Sequence, residues 1–467
     1  MSGAIPPVIV WPLIAGLVLA MLPGRFGARG LIAVALAGSL VTLLLAVLQA
    51  LSVADAGFGG LWLHDRLAVG LALPLSIPSV FVAASLVSGV PSAPAGGWRR
   101  QLVAAQLLTA GAMIATRADP LFLMLVGFVV MAAAASILVP DRERPGHIAV
   151  LAGTLLVAWL GIAMFTAGLG VPAGWSRLSA APSVLHPAVR LFGLLLLLLP
   201  MMLLAWMGAA SAPGRRTLDP ARADPVVGPA LLPVLFALSA LAVALRLHAL
   251  PESDPVLLRL EMGVQVASGV SMMLLAVCLM PGRRTLAGRV ALAAMVQIGA
   301  AAVGIGVGGT GGVAASLLIL WFLSIGFSLA LLPPASGAGS AMRRLAVLSL
   351  AGLPPFGPFV AAFVLLLRLF ADMPILAVPV LAAMCATAVG LLSALRRAGH
   401  RSLNGDRSGS HASSGAFLAS GFIALALLAS LGLAMPSGLS EWLLGVSETF
   451  SGAPWPTRNP SLREAAP

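Results

Sequence analysis

Long apolar runs make up most of the chain, and short connectors rich in arginine, glycine and proline separate them. Sixty percent of the 467 residues are hydrophobic and nine percent are charged, so a water-soluble fold would have too few polar residues to cover its surface. A helix needs about 20 apolar residues to cross the hydrocarbon layer, because its backbone polar groups must be paired within the segment. The sequence therefore predicts an all-α protein that crosses a membrane many times.

Apolar length and connector positions predict about fourteen transmembrane helices and no soluble domain. The predicted spans lie near residues 7–23, 30–52, 67–90, 100–116, 119–139, 148–170, 187–210, 226–248, 258–280, 286–307, 312–332, 344–370, 374–395 and 414–434. Residues 1–434 are expected to form one transmembrane domain. Residues 435–467 are expected to form a C-terminal surface tail, preceded by a short interfacial helix around Glu441 and Trp442.

Arginine is distributed unequally between the two sets of alternating connectors. All 27 basic residues are arginine, and one side receives 18 of them but only 5 of the 15 acidic residues. The positive-inside rule makes that side cytoplasmic and places both termini outside. The net charge of +12 therefore indicates topology and not nucleic-acid binding, because the arginines do not cluster between aromatic residues. A composition without lysine or tyrosine suggests a GC-rich bacterial genome, and hence an inner-membrane protein.

Helix-breaking residues interrupt two of the predicted spans. Pro200 lies inside the seventh span, where it removes a backbone donor, and a simple kink is the alternative interpretation. A denser set in the twelfth span must open the helix for at least a turn: Gly352, Pro354, Pro355, Gly357 and Pro358. The two spans are five apart, as expected for two inverted five-helix repeats at about 100–248 and 258–395. Paired interruptions in inverted halves are typical of an ion or substrate pathway.

The segment AGLPPFGPFVAAF, from Ala351 to Phe363, resembles the broken twelfth helix of the antiporter-like membrane subunits of respiratory complex I, hydrogenase-4 type hydrogenases and multisubunit sodium/proton antiporters. Shorter stretches that begin at Asp119, Asp224 and Met295 are similar to the fifth, eighth and tenth helices of that family. The resemblance in helix count and order covers nearly the whole chain. It implies a proton-translocating membrane subunit of an NADH–quinone oxidoreductase or hydrogenase complex, with other membrane subunits as partners and protons or sodium as the ion.

At the positions that match the family's ionisable residues, this sequence has neutral residues. Val129 replaces the carboxylate of the fifth helix, Ala362 takes the ionisable position of the twelfth, and Pro233 and Ser239 lie near the histidine and lysine of the eighth. A proton relay needs groups that change protonation near neutral pH, which arginine does not do. We therefore expect the fold of this family with a degenerate relay and a partly structural role.

A few polar residues remain in the predicted spans and could line a modified pathway: Glu261, Gln265, Gln297 and Arg289. Hydrogen bonding between helices is the alternative role for the glutamines, and a position at the membrane edge is the alternative for Glu261. No metal-ligand cluster, phosphate loop or nucleophile pattern is present, so we expect no cofactor, no metal and no catalysis by the chain alone.

Two other classes of function compete with the antiporter-like subunit. A stand-alone secondary transporter would bind an ion or small solute at the broken helices. An enzyme acting on lipid or polyprenyl substrates usually needs acidic or histidine residues beside a sizeable loop domain, and the short connectors here disfavour it.

Overall fold

The computed structural model describes residues 5–23, 26–52, 58–59, 61–63, 65–88, 95–138, 144–166, 174–175, 196, 227–249, 255–283, 285–331, 338–404 and 415–450. Within these ranges the chain forms fifteen α-helices and one short antiparallel pair of strands, β1 (Phe58–Gly59) and β2 (Trp62–Leu63). The helices are α1 (Pro7–Met21), α2 (Ala28–Ser52), α3 (Arg66–Ser88), α4 (Ala95–Arg117), α5 (Leu121–Leu138), α6 (Arg144–Thr166), α7 (Val227–His248), α8 (Pro255–Leu279), α9 (Leu286–Val307), α10 (Gly309–Leu331), α11 (Ala338–Leu350), α12 (Gly357–Asp372), α13 (Pro374–Asn404), α14 (Gly415–Leu433) and α15 (Ser437–Phe450).

The all-α, multi-pass architecture expected from the sequence is confirmed. Every predicted span except the seventh has a helix at its position, and the twelfth span is divided into α11 and α12 as its prolines and glycines predict. The seventh span, with Pro200, lies outside the described residues. The short helix expected around Glu441 and Trp442 is α15.

In the described part of the chain, eight helices are long and apolar enough to cross a bilayer: α2, α3, α5, α7, α8, α9, α10 and α13. The bent pair of α14 and α15 would make a ninth span if the two are counted together. The other predicted spans fall short for local reasons. Helices α1 and α6 have only short apolar stretches, α4 begins at Ala95 and carries Arg99 and Arg100 in its first two turns, and the twelfth span is cut in two.

Helices differ greatly in how much of their surface they bury. Helices α7 and α9 lie at the centre of the bundle and are buried along their whole apolar lengths, and α3 and α10 are nearly so. Helices α2, α8 and α13 lie at the periphery, and Ile375 at the start of α13 is 86% exposed. Large exposed apolar faces are stable in contact with lipid and not in contact with water. This distribution therefore agrees with a bundle surrounded by a membrane.

Two pairs of glycines allow neighbouring helices to cross at backbone contact. A Cβ atom added at Gly111 of α4 would lie 2.8 Å from the carbonyl oxygen of Gly127 of α5, and one added at Gly127 would lie 2.7 Å from that of Gly111. Gly269 of α8 and Gly299 of α9 show the same reciprocal approach, at 2.6 and 2.7 Å. Small residues are enriched where membrane helices pack closely. The two crossings occupy matching places in the two repeats predicted from the sequence.

Candidate functional site

The break between α11 and α12 spans residues 351–356 and begins with a helix cap. Gly352 has a φ of +69°, a left-handed conformation that glycine adopts without strain. Its amide donates to the carbonyl oxygen of Ser349 at 2.9 Å, and the amide of Leu353 donates to that of Leu348 at 3.4 Å. These two bonds are the pattern of a Schellman cap. Pro354 then follows, and it cannot continue the helix.

The carbonyl oxygen of Leu350, the last residue of α11, accepts a hydrogen bond from a side chain of another helix. The side-chain amide of Gln297 in α9 donates to the carbonyl oxygen of Leu350 at 3.4 Å. The backbone amide of Ala351 donates to the carbonyl oxygen of Val347, four residues earlier, at 3.0 Å. The cap and Gln297 therefore pair the carbonyl oxygens from 347 to 350, although the helix opens here as the sequence predicts. Gln297 therefore lies at the break, as a pathway residue would, and also stabilises it.

The other polar residues expected in a pathway lie on α8. Glu261 and Gln265 are one turn apart, and they are 4% and 2% exposed. The Nε2 atom of Gln265 has no hydrogen-bond partner among the described residues. A buried amide without a partner is costly unless water or another polar group reaches it. Gln265 is therefore a position at which a water molecule would be retained.

A group of polar and charged residues lies where α2, α4 and α7 end and α3 begins, and we call Gln49, Asp65, Arg117 and Arg246 the Asp65 cluster. Arg246 donates from Nη1 to Oδ2 of Asp65 at 2.5 Å and from Nη2 to Oδ1 at 3.1 Å. Its Nη2 also donates to the carbonyl oxygen of Thr116 at 3.1 Å. Charge-assisted bonds in this two-pronged arrangement are among the strongest in proteins.

Asp65 and Arg117 each make a second connection in this cluster. Asp65 accepts from the amide of Ala68 at 2.7 Å and so caps the first turn of α3. Arg117 is fully buried at the end of α4, where it donates to Gln49 at 2.8 Å and to the carbonyl oxygen of Ala68 at 3.1 Å. The cluster therefore joins four helix ends. Its guanidinium groups hold positive charge in place but cannot pass protons.

No protein-family model matches the sequence, and none of the curated proteins compared with it matches either. Solved structures do match over almost the full length. A chain of the membrane-bound sulfane sulfur reductase, an archaeal respiratory membrane complex, aligns with a TM-score of 0.77 and 15% identity over 95% of this chain and 97% of that one. A chain of the Mrp complex from Dietzia sp. DQ12-45-1b aligns with a TM-score of 0.70 and 17% identity over 96% of both chains.

A chain of respiratory complex I from Thermus thermophilus aligns with a TM-score of 0.66 and 19% identity over 95% of this chain and 98% of that one. The protein shares its fold with these chains of membrane complexes. Identity below 20% with near-complete coverage means that helix order and packing, and not residue identity, define this likeness.

The four positions that the sequence resemblance aligns with family ionisable residues lie in different surroundings. Ser239 and Pro233 are buried in α7, and the hydroxyl of Ser239 has no hydrogen-bond partner among the described residues. Ala362 is half-buried in α12. Val129 is 48% exposed on α5, next to the fully buried Phe128. Ser239 and Pro233 are therefore the two of these positions that are buried, and Val129 is the most exposed of the four.

Arg289 lies at the opposite end of α9 from the Asp65 cluster and holds α9 to α13. Its Nε donates to the carbonyl oxygen of Arg283 at 2.9 Å, and its Nη1 donates to that of Gly390 at 2.8 Å and to Oγ of Ser393 at 2.6 Å. All three acceptors are neutral. This geometry favours a structural role for Arg289 over a role in an ion pathway.

Sequence reasoning missed the Asp65 cluster. Asp65, Arg117 and Arg246 lie near the ends of predicted spans, where charged residues usually only mark topology. A search of the spans for residues that titrate also passed over Arg246, although it lies inside the eighth predicted span. An arginine within an apolar span is itself a reason to expect a buried partner, and it was the available signal.

The described residues contain no group of three or more histidine, cysteine, aspartate or glutamate side chains that could hold a metal ion.

Proposed function

We propose that the protein is an antiporter-like subunit of a complex I-like or hydrogenase-4-like membrane complex, and that its proton relay is degenerate. The observation that supports this most directly is Ser239, a neutral and fully buried residue at the position matched to a family lysine in the central helix α7. A serine hydroxyl can bind water, but it does not take up and release protons near neutral pH. Arg246, in the same helix, forms an ion pair with Asp65.

The role that we propose follows from the structural features that the bundle has without a proton relay. The fold, the capped break and the tight helix crossings are those of a rigid scaffold, and the polar residues at the break make neutral hydrogen bonds. The matched solved structures come from multisubunit membrane complexes. We infer that this chain occupies the place of an antiporter-like subunit between other membrane subunits and contributes structure instead of a complete proton path.

The location that we propose is a bacterial inner membrane. The arginine-rich connectors face the cytoplasm, and both termini face the periplasm. The described helix ends agree with this grouping, since Asp65, Arg117 and Arg246 meet at one end and Arg283 and Arg289 meet at the other. Cysteines introduced near either terminus and labelled with an impermeant reagent in intact spheroplasts would test the orientation, and labelling only after lysis would contradict it.

Purification from the native membrane in mild detergent tests the partner assignment. We expect other membrane subunits to co-purify in fixed ratio, and the isolated chain in liposomes to move neither protons nor sodium. Recovery of the chain alone, without companion subunits, would count against the subunit role.

A stand-alone secondary transporter is the second candidate, and the break between α11 and α12 is the observation that favours it. In that case the isolated chain in liposomes would show ion or solute flux. Replacement of both Pro354 and Pro355 by alanine would abolish this flux, because a continuous helix would replace the break. Flux that requires these prolines would favour the transporter over the subunit.

A further inference from the structure

The last two helices connect the break between α11 and α12 with the Asp65 cluster. Helices α14 and α15 meet at a bend of 71°, so α15 turns away sharply from the direction of α14. Helix α14 packs against α3, α10, α11 and α12, and α15 packs against α3, α7 and α10. A single stretch of 19 residues, from Gly432 to Phe450, therefore contacts both parts of the candidate site.

At the break, the backbone of α14 touches the backbone between α11 and α12. A Cβ atom added at Gly432 would lie 2.7 Å from the amide nitrogen of Gly357 and the carbonyl carbon of Phe356, and closer still to the carbonyl oxygen of Pro355. Backbone atoms cannot move aside as the end of a long side chain can. The last turn of α14 therefore lies against the first turn of α12 with no side chain between the two backbones.

Trp442 holds α15 in its place on α3. Its indole N–H donates to the carbonyl oxygen of Arg66 at 2.9 Å, and its ring lies directly over Gly70, where an added Cβ would overlap it. The ring of Trp321 in α10 lies 5.9 Å away, centroid to centroid. Gly445, one turn further on, leaves room in the same way for the guanidinium of Arg66. At this interface, two glycines thus leave the space that two large side chains of the opposite helix occupy.

The far end of α15 reaches the Asp65 cluster. The ring of Phe450 lies under the guanidinium of Arg246 with the Cζ atom 5.9 Å from the ring centroid, within the range of a cation–π contact. Arg246 is the residue that pairs with Asp65 at the start of α3. Trp442 and Phe450 therefore fasten α15 at two points, both connected to α3.

We propose that α14 and α15 form a strap: with α15 fastened on α3, α14 holds the break between α11 and α12 in its closed, capped conformation. Release of α15 removes one of the contacts that hold α14 in place and makes opening of the break more frequent. The proposal assigns a conformational control to residues far from the break in sequence, and it applies whether or not the chain conducts ions.

Hydrogen–deuterium exchange of the full chain in nanodiscs tests the strap, read at residues 437–450 and separately at residues 348–358. Trp442→Ala removes the ring and the donor, so we expect exchange in both segments to rise about tenfold or more. Trp442→Phe keeps an aromatic ring and loses the donor, and should give about fivefold in the same two segments. Leu444→Ala is the matched control, because this residue is 54% exposed on the same helix, and it should change neither segment.

Faster exchange in 437–450 with unchanged exchange in 348–358 would overturn the proposal, and so would unchanged exchange in both segments of the Trp442→Ala variant. If that variant does not fold, Trp442→Phe is judged by the same criterion. Gly432→Ala gives the reciprocal test: it disturbs the break directly, and coupling requires that exchange in 437–450 rises as well.

Discussion

The carboxylate of Asp65 and the guanidinium of Arg246 form a two-pronged ion pair between residues 181 positions apart in the sequence. The pair joins the first turn of α3 to the last turn of α7, and both side chains are largely withdrawn from solvent, at 17% and 5% exposure. A buried charge that loses its partner is costly, whereas the loss of both charges together costs much less.

Removal of the charge at Asp65 should destabilise the protein more than removal of both charges. We expect Asp65→Asn to lower the free energy of unfolding by about 3 kcal/mol, because Arg246 stays buried without its counter-charge. The double variant Asp65→Asn with Arg246→Gln should recover part of that loss. Thermal unfolding in detergent measures both, and equal unfolding temperatures for Asp65→Asn and the wild type would contradict the role of the pair.

The helix crossing at Gly269 and Gly299 should tolerate no larger residue. Gly299→Ala places a methyl group within 2.7 Å of the carbonyl oxygen of Gly269, so α8 and α9 must separate, at a cost of about 1–3 kcal/mol. Gly263→Ala on α8 is the control, since a Cβ there has no atom within 4 Å and alanine favours helix. Unfolding temperatures should fall for the first variant and stay equal or rise for the second; equal values for both would show that the crossing is not tight.

Gln297 should stabilise the end of α11 more than the protein as a whole. Gln297→Met keeps the volume and removes the donor to the carbonyl of Leu350, so we expect about 1 kcal/mol of destabilisation and faster amide exchange around residues 348–353. Gln106→Met is the matched control, because Gln106 bonds to Ala35 and Ser39 of α2. It should cost a similar amount and leave the exchange at the break unchanged. Equal exchange at the break in both variants would contradict a local role for Gln297.

Ser239 should be replaceable by alanine but not by lysine. Ser239→Ala removes a buried hydroxyl that lacks a partner among the described residues, so we expect unchanged or slightly higher stability. Ser239→Lys buries a charged or desolvated amine and should cost several kcal/mol, about 3 or more. Thermal unfolding compares the two. A Ser239→Lys protein that folds normally and moves protons in liposomes would show that the relay is lost at this position alone and that the rest of the path is intact.

The features that the sequence predicts are those that depend on residues close together in the chain. Apolar length places the spans because a helix in lipid must satisfy its own backbone, and the glycines and prolines at 352–358 place the break because no helix continues through them. The cap at Gly352 is also a local matter, since its bonds run to residues at most five positions away.

The contacts between helices that are distant in sequence were decided by the tertiary structure alone. Whether Arg246 is a topology signal or half of an ion pair depends on which helix ends meet, and the sequence does not state that Asp65 lies beside it. The reciprocal contacts of Gly111 with Gly127 and of Gly269 with Gly299 are equally invisible in a chain with 51 glycines. The physical reason is the same in each case. Lipid stabilises every apolar helix face to a similar extent, so composition predicts that the helices insert into the membrane. How the helices pack against one another depends on the fit of side chains at particular contacts.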